Sequence, residues 1–98
     1  ITWDTILKAI NFYSELILCL KQANRVPPLP FVAPVSDGSI QFEWRTYYKE
    51  LIVTFLPNEL EEITFLKVEN TLQGEKEDEG IVSSHVDIID IIANWLLK

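Results

Sequence analysis

The sequence predicts an α+β fold in two layers, a three-stranded antiparallel meander with two helices in the order αβββα. Three observations point there: an apolar row at helical spacing near the start, an alternating run from Ile40 to Arg45, and a second helical row near the end. Ninety-eight residues, 48% of them hydrophobic, suffice for one packed domain spanning 1–98 and exclude a disordered tail. So short a chain leaves much apolar surface uncovered, which favours association with a partner or a second copy.

Residues 2–22 read as one helix, because Trp3, Ile6, Leu7, Ile10, Tyr13, Ile17 and Leu20 recur at three- and four-residue steps without Gly or Pro. Thr2 or Asp4 can cap its start. A second row, Leu7, Phe12, Leu16 and Cys19, widens the apolar arc beyond the roughly 100° a surface helix needs. Both sides therefore call for cover, and Cys19 reads as a small core residue.

Residues 23–36 form a proline-rich connection, with Pro27, Pro28, Pro30 and Pro34 excluding helix, and Phe31, Val32 and Val35 reading as anchors into the core. The sheet is assigned to 39–69. After the Asp37-Gly38 turn, Ile40, Phe42 and Trp44 alternate with Gln41, Glu43 and Arg45. Leu51, Val53 and Phe55 define one face of the next strand, and Glu62 to Glu69 supplies the third after a turn at Pro57-Asn58. Residues 70–80, bracketed by Gly74 and Gly80, read as an acidic loop. The last helix covers 83–97, with Ser83 or Ser84 at its start and Ile88, Ile89, Ile92, Trp95 and Leu96 on its buried face.

If both helices cover the Ile40, Phe42 and Trp44 face, the other face sets Glu43 and Arg45 beside Ile52, Leu56, Leu66 and Val68. Monomers rarely expose apolar patches above a few hundred Å². These six residues are the candidate interface, with the second row of the first helix as an alternative, and a homodimer is the simplest way to cover either. A second candidate is an acidic patch at Glu75, Glu77, Asp78 and Glu79. It can serve simply as a solvated loop or as a contact for a basic partner.

Fifteen acidic against eight basic residues give a net charge of −7, which repels phosphate backbones and argues against direct nucleic-acid binding. A single cysteine cannot close an internal disulfide, so a cytoplasmic, reducing compartment is expected. The most apolar stretch, Ile6 to Leu20, is interrupted by Lys8, Asn11, Ser14 and Glu15, so no membrane span is expected.

Catalytic and metal-binding patterns are sparse. Ser84, His85 and Asp87 are close in sequence, but neighbours within one helical turn diverge, whereas a triad must converge. Asp87 and Asp90 lack the partners of a zinc or calcium site. Apart from Lys8 and Lys21, no base at helical spacing accompanies Cys19, too little to mark a reactive thiol. No catalytic residue, metal ligand or cofactor is assigned. An enzyme with a site at a dimer seam, built from Glu43, Arg45 and His85, is the least favoured reading.

The stretch Pro34-Val-Ser-Asp-Gly-Ser-Ile-Gln-Phe-Glu-Trp44 resembles small uncharacterised bacterial proteins with a proline segment, an Asp-Gly turn and a strand ending in Glu-Trp. The resemblance covers about a third of the chain and implies a bacterial, stand-alone small protein without supplying an activity. The expected function is a non-enzymatic protein-interaction domain that dimerises or binds a cognate protein, as an antitoxin or immunity protein does. The alternative is an acidic secretion-type chaperone holding a client segment.

Overall fold

A computed structural model describes residues 3–26, 28–57 and 62–98. Thr2, Pro27 and Asn58, which carried readings of a cap, a proline run and a turn, lie outside them. Helix α1 (Trp3–Gln22) is followed by β1 (Phe31–Pro34), β2 (Ile40–Arg45), β3 (Lys49–Phe55), β4 (Ile63–Thr71) and β5 (Gly74–Val82). Helix α2 (His85–Ile91) then runs into a π-helical turn, Ile92–Leu96, closed by Leu97 N–H donating to Ile92 O at 3.0 Å. The strands form one antiparallel sheet in the order β1-β2-β3-β4-β5. The fold is α+β, but the expected three-stranded meander is corrected to five strands, in the order αβββββα.

Both additional strands hide behind their composition. Within the proline-rich connection, β1 is a short edge strand in which Val32 pairs with Phe42 and Pro34 with Ile40. Proline is tolerated at such an edge because its missing N–H faces no neighbour. The acidic stretch read as a loop is β5, paired with β4 along nine residues from Ile63↔Val82 to Thr71↔Gly74. Gly74 has φ +120° at the end of the tight Leu72-Gln73 turn, where a Cβ would be strained.

The register assigns the two faces. Ile40 opposes Phe55, Phe42 opposes Val53 and Trp44 opposes Leu51, and all six are buried beneath the helices. Phe12 descends from α1 into this layer, its ring centroid 6.0 Å from Phe42, 6.1 Å from Trp44 and 5.2 Å from Phe55. Edge-on and tilted packing of this kind adds to the plain burial of the rings. The Trp44 indole N–H donates to Pro28 O at 3.3 Å, which ties the proline segment to the core.

This ring cluster decides which arc of α1 is buried. Thr5, Ala9, Phe12, Leu16 and Leu20 face inward, whereas Trp3, Leu7 and Ile10 of the longer apolar row are exposed. Cys19 is exposed too, which corrects its reading as a core residue.

The last helix is held at its carboxyl end by cations from elsewhere in the chain. The Arg25 guanidinium donates to Ala93 O at 2.8 Å and to Leu97 O at 3.5 Å. The Lys49 ammonium donates to Trp95 O and Lys98 O, and stands 5.3 Å from the Trp95 ring centroid. Free carbonyls and the negative end of the helix dipole favour positive charge there. Ser84 caps the opposite end, its Oγ accepting from Val86 N–H.

Gly80 lies opposite Phe65, and a Cβ on it would fall 2.9 Å from two carbons of that ring. Gly80→Ala is therefore expected to lower unfolding stability by about 1–3 kcal/mol through overpacking. Phe65→Leu in the same chain should recover part of that loss in a denaturant titration.

Candidate functional site

Among the described residues, both helices lie over one face of the sheet, and strand alternation fixes what the opposite face carries. One row across it reads Ala33, Gln41, Thr54, Thr64 and Ile81, the next Phe31, Glu43, Ile52, Leu66 and Glu79, and the third Arg45, Glu50, Val68 and Glu77. Asn70 and Glu75 end the face at the hairpin. Ile52, Leu66, Val68, Glu43 and Arg45 thus share one surface. Leu56 falls past the end of β3, where its carbonyl accepts from Lys8 Nζ at 3.3 Å.

The centre of the face is a shallow trough of about 550 Å³, bordered by Ile52, Thr54, Thr64, Leu66 and Ile81. Val68 is only 8% exposed yet stands outside the main core cluster. It forms a small apolar centre of its own on the open face, between Glu50 and Glu77.

Alternation splits the acidic stretch in two. Glu75, Glu77 and Glu79 stand on the open face, while Lys76 and Asp78 stand on the helix side, where Asp78 Oδ2 is 3.3 Å from Lys67 Nζ. With Glu43 and Glu50, the open face carries five carboxylates against one base, Arg45, among the described residues. A loop reading hides this sorting, but the Glu-x-Glu-x-Glu spacing at 75, 77 and 79 is its signature once a strand is assumed.

Arg45 bridges two of these acids, with Nη2 3.0 Å from Glu43 Oε1 and 3.5 Å from Glu50 Oε1. The Glu50 carboxyl is raised above its ordinary value of 4.5, first by a hydrogen bond shared with Glu43 and then by desolvation, while the charge of Arg45 pulls the other way. Folding therefore favours the protonated form of Glu50. This contribution to stability is fully present below the unfolded value and is lost as pH rises through the folded one. Glu50→Gln is expected to flatten that pH dependence in thermal melts taken from just below 4.5 upward.

The chain matches no family model, curated protein or solved structure with significant similarity.

A second constellation lies on the helix side, in a cleft of about 400 Å³ between α1 and the start of α2. His85 Nδ1 is 3.1 Å from Glu15 Oε2, and the His85 ring stands edge-on to Phe12 with centroids 5.7 Å apart. The histidine thus meets a carboxylate from α1 rather than Asp87, and its contacts join the two helices. Glu43 and Arg45 stand on the opposite side of the sheet from His85, so one chain does not bring these three together. Asp87 and Asp90 are both exposed on α2, and no cluster of three or more His, Cys, Asp or Glu residues converges among the described residues. Among them, no helix is long and apolar enough to cross a membrane.

Proposed function

We propose that this chain is a non-enzymatic protein-interaction domain whose open sheet face receives a cognate protein with a basic surface around an apolar centre. The observation that carries the reading is the composition of that face: Ile52, Leu66 and Val68 on the inner strands β3 and β4, with Glu43 and Glu50 to one side and Glu77 and Glu79 to the other. Apolar centres with charged rims suit specific docking, the centre supplying burial and the rim steering approach. Face-to-face pairing of two copies would set five carboxylates against five, so a basic partner fits this surface better than a second copy. A stoichiometric partner of this kind is what an antitoxin-like or immunity-like protein holds.

The trough also gives the chaperone alternative a physical basis, because an extended segment could lie in it. The two readings differ in the state of the bound protein: a folded basic domain in the first, a segment disordered by itself in the second. Affinity capture with the wild type and with Ile52→Asp/Leu66→Asp tests the face itself. A basic protein retained by the first and lost by the second, with circular dichroism unchanged between the two baits, is the expected outcome. Equal capture by both would remove the open face from the account.

A further inference from the structure

The outer side of α1 is the other large apolar surface, and its chemistry differs from that of the sheet. Trp3 is 69% exposed and Ile10 52%, with Leu7 and Leu18 also exposed and Ile17 half-buried beside them. Positions 3, 7, 10, 14, 17 and 21 recur every three or four residues along one side, the spacing of a helix seam. Lys21 is the only charged residue among them. The stripe carries a single positive charge where the sheet face is strongly acidic, so two copies meet less repulsion here than they would there.

We infer that α1 pairs with the α1 of a second copy, antiparallel about a two-fold axis near the middle of the helix. In this arrangement every stripe position faces another stripe position and the two Lys21 side chains stand apart, whereas in-register parallel pairing would set Lys21 against Lys21. With the axis level with Phe12, position 3 faces 21, 7 faces 17 and 10 faces 14. Ile10 then meets the small Ser14, Leu7 meets Ile17, and the Lys21 ammonium reaches the partner's Trp3 face with the partner's Asp4 beside it. Antiparallel helix dipoles add to the match. In a parallel pair Trp3 and Lys21 would be separated by roughly 27 Å along the axis. This dimer leaves both open sheet faces outward and does not depend on how they are used.

Sedimentation equilibrium of the purified chain tests the inference. The wild type is expected at twice 11.3 kDa through the micromolar range, and Ile10→Glu at the monomer mass with its circular dichroism unchanged. Ile52→Glu, on the sheet face, should stay dimeric. Lys21→Glu should weaken dimerisation by about five- to thirtyfold, the worth of two exposed cation–π contacts, because the two-fold axis repeats each contact. A monomeric wild type would overturn the proposal, and so would a dimer abolished by Ile52→Glu but not by Ile10→Glu. A dimer that tolerates Lys21→Glu unchanged would overturn the antiparallel arrangement.

Discussion

Phe12→Ala is expected to cost about 3–5 kcal/mol of unfolding free energy, the range for emptying a fully buried aromatic site. Phe12 is 0% exposed and touches the rings of Phe42, Trp44, Phe55 and His85. Its removal therefore opens a cavity where α1, the sheet and α2 meet. A domain of this size has only about 5–15 kcal/mol to lose. Chemical denaturation should show a lower midpoint with a similar slope, and Phe12→Leu should recover roughly half of the loss by refilling part of the volume.

Lys49→Ala is expected to have the next largest effect, about 2–4 kcal/mol, for a different physical reason. Lys49 is 8% exposed, and its ammonium serves two carbonyls at the end of the last helix and lies over two aromatic rings, Tyr48 and Trp95. Alanine leaves those carbonyls without their charged donor and removes the packed stem. Lys49→Met keeps most of the stem, so it should lose only the polar part. Hydrogen exchange should speed up more at Ile92–Leu96 than in the β2-β3 pairing in both variants. Equal acceleration at the helix end and in the sheet would contradict a local clamp.

These two residues also mark where sequence reading succeeds and where it stops. The β2 alternation is visible because Ile40, Phe42 and Trp44 are large, apolar and interrupted by polar residues. Phe12 is visible as apolar, but its place at the centre is not, because α1 carries two apolar arcs and only the sheet's aromatic rings select one. The longer row in sequence is itself divided: Trp3, Leu7 and Ile10 are exposed, whereas Leu20 is buried and Ile6 and Tyr13 pack against the core.

Strand β5 was hidden for a related reason. Glu, Asp and Gly are poor strand formers, and their β propensity is overridden here by nine-residue pairing with β4 and by Phe65 packing across Gly80. Its charge also suits an edge, where a Lys and Glu-rich strand discourages pairing with other chains. Strand β1 was masked by its prolines. Lys49 and Arg25 could not be identified as clamps from sequence at all, since their carbonyl partners lie 46 to 72 positions away.

The candidate interface was legible to the extent that periodicity is. Ile52, Leu66 and Val68 follow from two alternating strands, and Leu56 continues the alternation of Ile52 and Thr54 one residue beyond the end of β3. The glutamates of β5 reach the same face through a pairing that composition concealed. Sequence alone presented an apolar patch and an acidic loop as separate features, and the five-stranded sheet joins Glu75, Glu77 and Glu79 to the patch.

The most direct test of that joined surface is calorimetric titration of the captured basic protein into the wild type and into Glu75→Gln/Glu77→Gln/Glu79→Gln, at low and at moderate salt. The account predicts affinity at least about tenfold weaker for the triple variant at low salt, with a smaller difference as salt screens the rim. Equal affinities for the two chains at low salt would contradict it.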